Sequence, residues 1–160
     1  MTMDRIIAQG SILPIVTRQM PLRTVSEPIG IVNDVTLELV ADMLATMYAA
    51  PGIGLAAIQV GRPLRVIVWD LGTPEARRPE VMIDPVIEWA KKRETEMEEG
   101  CLSIPGLRIN VSRPSDIRVA YMQIDGTRRV RDLGGLHARV VQHETDHLDG
   151  RLITDRLVRT

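Results

Sequence analysis

An α+β fold is the expectation for these 160 residues, and three observations lead to it. Two segments, 36–50 and 136–148, carry helical patterning. Several shorter runs carry the β-branched or alternating pattern of strands. The two kinds of element do not alternate regularly, which disfavours a doubly wound parallel sheet. The length suits one domain spanning 1–160.

The elements follow in chain order. Residues 1–33 read as an irregular arm, because Pro14, Pro21, Pro28 and Gly30 break every period. In 36–50, Leu37, Val40, Ala41, Leu44 and Tyr48 recur on one face, which predicts a long helix in the N-terminal half. Asn33 or Asp34 can cap its start, and Pro51-Gly52 ends it. Residues 65–71 (RVIVWDL) predict a buried strand. Residues 81–87 predict another, with Pro85 marking an edge or a bulge. The charge run 91–99 (KKRETEMEE) reads as a solvated strand or connection. Residues 116–124 alternate as a half-buried strand, and Asp125-Gly126 turns it into 128–132. The last strong element is the helix 136–148, stopped by Gly150 at a left-handed position.

Composition narrows the function classes. Lys+Arg number 20 against 21 Asp+Glu, a net charge of -1, so no basic excess points to nucleic acid. Aromatic side chains are Trp69, Trp89, Tyr48 and Tyr121 alone, too few for a base-stacking platform. No apolar run reaches the roughly 20 residues of a membrane span, and no signal or Arg/Ser-rich transit pattern is visible. One cysteine, Cys101, cannot close an intramolecular disulfide. With three histidines, His137, His143 and His147, it limits any soft-ligand metal site to four residues.

Chemistry concentrates in three stretches. Residues 142–147 read QHETDH, which places H-E-x-x-H on a helix. Positions i and i+4 share a face with Cβ atoms about 5–6 Å apart, so His143 and His147 can hold one metal ion. Glu144 lies about 100° further round, beside the open side of that ion, where a carboxylate can take a proton from water. Two His out of only three, at ligand spacing around a Glu, are poorly explained as structural residues. A catalytic site needs a third ligand. Asp149 and Asp155 are available downstream, and Cys101 in EGCLS (99–103) is the natural candidate upstream. Gly100 permits close approach there, and Ser103-Ile104-Pro105-Gly106 turns away. The third stretch, GIGLAAIQ (52–59), fits no phosphate-binding loop. Taken alone it reads as a packing turn with a surface Gln59. His137, six residues before His143, faces another side of the helix and reads as surface or loop-facing.

Together the three stretches resemble the peptide deformylases, whose signatures are G-x-G-L-A-A-x-Q, E-G-C-L-S and Q-H-E-x-D-H. All three are complete and in order, and the likeness extends to 47–51 and 148–150. The residues before Leu22-Arg23 depart from the Asp-Pro common in that family. The resemblance implies a deformylase-like α+β fold, with small β-sheets packed around a central helix carrying H-E-x-x-H. It implies a single catalytic domain that removes the N-formyl group from the formyl-methionine of nascent polypeptides and releases formate. Cys101, His143 and His147 would hold one divalent ion, Fe²⁺ in the cell with Zn²⁺, Ni²⁺ or Co²⁺ as alternatives. Glu144 would be the acid/base. The Gln59 side chain and the Leu102 backbone N–H would bind the oxyanion. Ile53, Gly54 and Gly100 would run along the peptide, and Leu136, Arg139 and Val140 would edge the pocket for its first side chain. Glu99 and Arg113 would pair to brace the Cys101 loop. The implied partners are N-formylated nascent peptides near the ribosome, with no nucleic-acid site and no membrane. The implied location is the bacterial cytoplasm, or an organelle. A catalytically altered relative and an H-E-x-x-H metallopeptidase are the alternative functions.

Overall fold

The computed structural model describes residues 2–157. In chain order the elements are α1 (Met3–Ile7), α2 (Gln19–Leu22), α3 (Asp34–Ala49), β1 (Gly54–Ala56), a 3₁₀ turn (Ala57–Val60), β2 (Val66–Asp70), β3 (Pro79–Ala90), β4 (Glu94–Cys101), β5 (Ile104–Pro114), β6 (Asp116–Met122), β7 (Arg128–Gly134), α4 (Gly135–Leu148) and a second 3₁₀ turn (Ile153–Arg156). The mixed α+β class follows directly. Five antiparallel strands form one sheet in the order β1-β2-β3-β6-β7, and β4 and β5 form a separate hairpin.

The period of two in the strands explains the layering. Leu55, Val66, Val68, Val81 and Ile83 point into one apolar cluster with Val40, Met43, Leu44 and Met47 of α3. Ala56, Ile67, Trp69 and Met82 point the opposite way, into a second cluster with Ala138, Val140, Val141 and Leu148 of α4. A sheet covered on both faces needs strands apolar at every position, which is why β2 reads as an unbroken hydrophobic run. With no Phe in the chain, the unbranched Met43, Met47 and Met82 are fully buried in these layers. Each such side chain contributes about 1.5–3 kcal/mol of burial energy.

Several expectations are sharpened. Asn33 caps α3, its Oδ1 accepting from the Thr36 N–H at 3.0 Å. Pro85 sits in an irregularity of β3 between Ile83 and Val86, just past Ile83, where the register with β2 ends. Asp84 takes φ 50° there, and its carboxylate accepts the Ile29 and Gly30 N–H groups at 2.7 and 2.8 Å. The arm before residue 33 is not wholly irregular, because it holds α1 and α2. Pro21 is accommodated in the first turn of α2, where no intrahelical N–H is needed. The charge run ends in a strand, β4, and β5 answers it with a register that turns between Cys101 and Ile104.

Candidate metal centre

Two elements distant in the chain, β4 and α4, deliver the three donors. Cys101 is the last residue of β4, at the tip of the β4–β5 hairpin. His143 and His147 lie one turn apart on α4, with ring centroids 5.2 Å apart. One donor atom from each of Cys101, His143 and His147 lies within 4.8 Å of the others. Cys101 Sγ stands 3.3 Å from His147 Nε2. Asp149 and Asp155 are engaged elsewhere, with Arg65 and Arg23 respectively.

The donor set fits one transition-metal ion. A thiolate and two imidazoles on a rigid helix and hairpin leave a fourth position open, as catalytic sites require. His143 Nδ1 is 2.9 Å from Glu99 Oε1, which fixes that ring and directs Nε2 inward. Burial would lower the His143 pKa, but contacts with Cys101 and Glu99 and the Glu144 charge outweigh it and raise it to about 10. His147 is pushed down to about 3 by burial and by the neighbouring His143, so it stays an unprotonated donor near neutrality.

Around the ligands lies a network of buried ions. Arg113 donates to both Glu99 oxygens, at 2.7 and 2.9 Å, and to Asp146 Oδ2 at 2.8 Å. Arg113 is 1% exposed and Glu99 7%. Burial alone would raise Glu99, but the bonds from Arg113 and His143 hold its carboxyl well below the usual range. The expected Glu99–Arg113 pair is therefore present, and it carries a second acid that the sequence did not announce, Asp146.

A cleft of about 850 Å³ opens over the ligands. Ile53, Gly54, Gly100, Leu136, Val140 and Glu144 line it, as do Gln59, Cys101, Leu102 and His143. Arg139 also borders it, yet its guanidinium is turned away, donating to Glu99, to the Val111 carbonyl at 3.1 Å and to the Thr95 carbonyl at 2.6 Å. The surface reading of Gln59 is overturned, for it is 1% exposed. Its Oε1 accepts from Ala56 N–H at 2.9 Å, and its Nε2 donates to Ser103 Oγ at 3.0 Å and faces Cys101 Sγ at 3.6 Å. Ser103, which fixes this amide, is a residue that the pattern of EGCLS contained without revealing its role. Leu102 fits because Gly52 has no side chain, since a Cβ there would fall 2.5 Å from Leu102 Cδ1.

Glu144 is the acid/base candidate in the cleft. It is 4% exposed, and its Oε2 has no hydrogen-bond partner among the described residues. Burial raises its carboxyl to about 7, against the lowering charges of His143 and Arg113. A carboxyl so tuned can both hold and release a proton at neutral pH. His137 is exposed and stands apart from the ligand group, its Nδ1 accepting from Trp69 Nε1 at 3.4 Å.

A mixed α+β fold in which three soft donors that could hold one metal ion share a cleft with a buried carboxyl is the class this geometry defines. The sequence profile of the polypeptide deformylases matches residues 12–160, and the chain belongs to that family. The peptide deformylase of Phenylobacterium zucineum is 47% identical over 139 residues, covering 86% of this chain and 82% of that one. The crystal structure of peptide deformylase from Ehrlichia chaffeensis superposes with a TM-score of 0.87 at 34% identity, covering 93% of this chain and 89% of the other. The Met-Ala-Ser-bound class I type b peptide deformylase from Acinetobacter baumannii gives 0.85 at 31% identity, covering 92% and 99%.

Proposed function

We propose that this chain is a metal-dependent hydrolase that removes the N-formyl group from the N-terminal formyl-methionine of nascent polypeptides and releases formate. The observation that carries the reading is the convergence of Cys101, His143 and His147 with the buried Glu144 carboxyl in one cleft. Family membership supplies the reaction.

In this reading Cys101, His143 and His147 hold one divalent ion, with His147 Nε2 and the thiolate 3.3 Å apart. Such an ion, when bound, supplies Lewis acidity and a water acidified toward neutral pH. Glu144 accepts the proton of the attacking water, and the water oxygen bonds to the formyl carbon. Charge then grows on the formyl oxygen, where the Gln59 amide N–H and the Leu102 backbone N–H donate to it. Ser103 and Ala56 hold that amide ready. As the C–N bond breaks, Glu144 passes its proton to the departing amine, leaving a free N-terminus and formic acid, which gives up its remaining proton to become formate.

The peptide lies along the outer edge of β1, which ends the five-stranded sheet at the cleft. Ile53, Gly54 and Gly100 offer it main-chain pairing, and Leu136 and Val140 form the apolar wall for the first side chain. That a relative was crystallised with Met-Ala-Ser supports a methionine there. Arg139 acts on this pocket as the tie between α4 and the hairpin, not as a charged contact. With α4 as the central helix, residues 1–160 work as one catalytic domain. Fe²⁺ is the ion we assign in the cell, with Zn²⁺, Ni²⁺ or Co²⁺ as substitutes in vitro, since ligand number does not choose among them. The setting we assign is the bacterial cytoplasm near the ribosome. Among the described residues no helix is long and apolar enough to cross a membrane.

Formate release from formyl-Met-Ala-Ser by anaerobically prepared, Fe²⁺-loaded protein tests the reading. Release is expected from the wild type and its loss from Glu144→Ala. A silent wild type, or undiminished release by the variant, overturns it.

A further inference from the structure

We propose that Arg156 is a positioning residue for His143, acting through Asp146, Arg113 and Glu99. The inference rests on His143 being a metal ligand, as above. Its basis is an unbroken relay from the chain's last described turn to the site. Arg156 grips Asp146 with two nitrogens, Nε to Oδ2 and Nη2 to Oδ1, the latter at 2.8 Å. Asp146 Oδ2 also accepts from Arg113 Nη1 at 2.8 Å. Arg113 in turn donates to both oxygens of Glu99, and Glu99 Oε1 meets His143 Nδ1 at 2.9 Å.

Arg113 is shared between two acids, so what satisfies one acid affects the other. Asp146 is 7% exposed. With Arg156 present, both of its oxygens are served. Without Arg156, Arg113 Nη1 is its one side-chain donor among the described residues. A buried carboxylate that lacks donors is strongly penalised, and Asp146 gains by drawing the Arg113 guanidinium toward itself. That movement is away from Glu99, the group that sets the orientation of the His143 ring. Outer partners of this kind typically change metal affinity by about 10–100-fold.

The turn that carries Arg156 is itself built to stay in place. Asp155 Oδ2 accepts from the Leu152 N–H at 3.0 Å, and Arg23 of the N-terminal arm pairs with Asp155. Leu157 forms an antiparallel bridge with Val111, two residues before Arg113 on β5. The Arg156 side chain keeps 32% of its surface exposed, so removing it leaves no enclosed apolar cavity. Its effect is therefore expected on the network more than on packing.

The experiment uses Co²⁺-loaded wild type, Arg156→Gln and Arg156→Lys, with Arg118→Ala on β6, an exposed partner of Asp132, as control. Metal loss to a chelator, the Co²⁺ ligand-field spectrum and the melting of the metal-free proteins are measured. Arg156→Gln is expected to lose Co²⁺ about 10–100-fold faster with a changed spectrum, while its metal-free melting stays near wild type. Arg156→Lys is expected to fall between, because an ammonium cannot span both carboxylate oxygens. Wild-type metal loss in Arg156→Gln overturns the proposal. So does a fall in metal-free melting that accounts for the whole effect. If Arg156→Gln does not fold, a wild-type spectrum and loss rate in Arg156→Lys overturn it. A wild type that retains no Co²⁺ overturns the metal reading instead.

Discussion

A Cβ on Gly54 would lie 2.6 Å from Glu144 Oε1 and 3.1 Å from Val140 Cγ1. The glycine of β1 thus leaves the space that the Glu144 carboxyl, the proposed acid/base, occupies, at the edge where a peptide would pair. Gly54→Ala forces Glu144 to move, because the backbone of β1 is fixed by its register with β2. Formate release is expected to fall by about 10²–10⁴, the usual contribution of acid/base catalysis. Circular dichroism and metal content should stay near wild type. Wild-type turnover in this variant would show that Glu144 does not need its observed position.

Arg113 stands between Glu99 and Asp146 with almost no exposure. Arg113→Met fills much of the same volume but leaves two buried carboxylates short of donors. A loss of about 3–5 kcal/mol is expected, read as a lower urea midpoint with an unchanged slope. Metal content should fall as well, since Glu99 then orients His143 without its main support. A variant with full stability and full metal content would mean that the network is idle.

The site was legible in the sequence where its residues are neighbours in the chain. H-E-x-x-H needs only helical spacing, and α4 is amphipathic enough to reveal itself. The β4–β5 hairpin was less legible for a physical reason. The buried residues of its two strands are Glu99, Val111 and Arg113, and β4 is a mostly charged run with no apolar alternation, whereas β5 does alternate, with Leu107, Ile109 and Val111 set between polar residues. Helices of five and four residues, α1 and α2, are too short to show a period. Gln59 looked like a surface amide because one of its partners, Ser103, lies 44 positions away. No local pattern couples Asp146 to Arg113, 33 positions apart.

Tyr48 donates its hydroxyl proton to Asp70 Oδ2 at 2.6 Å, beneath the Arg77 guanidinium 4.0 Å from its ring. Asp70 also accepts the Gly72 and Arg78 N–H groups, at 2.7 and 2.9 Å. Burial first, and then the bond to Asp70 and its charge, raise the Tyr48 pKa well above its ordinary value, with Arg77 opposing. A raised folded pKa stabilises the fold fully below the unfolded value of about 10, and that stabilisation is lost as pH rises through the folded one. In Tyr121→Phe, where Tyr48 is the one tyrosine left, the tyrosinate absorbance is expected to appear only together with unfolding. An ordinary titration in folded protein would contradict the pairing.

His137 supplies the last prediction, because the chain has so few soft donors. It is the one His outside the ligand group, and its Nδ1 is taken by the Trp69 indole N–H. His137→Ala should therefore keep one bound metal ion per chain. Its cost should be the hydrogen bond of a buried indole, about 1 kcal/mol, with a shift in Trp69 fluorescence. Cys101→Ala, His143→Ala and His147→Ala should each lose the ion, since the one remaining soft donor, His137, stands apart with its Nδ1 held by Trp69. Metal analysis after dialysis separates the four variants. Retention in any of the three, or loss in His137→Ala, would reassign the ligands.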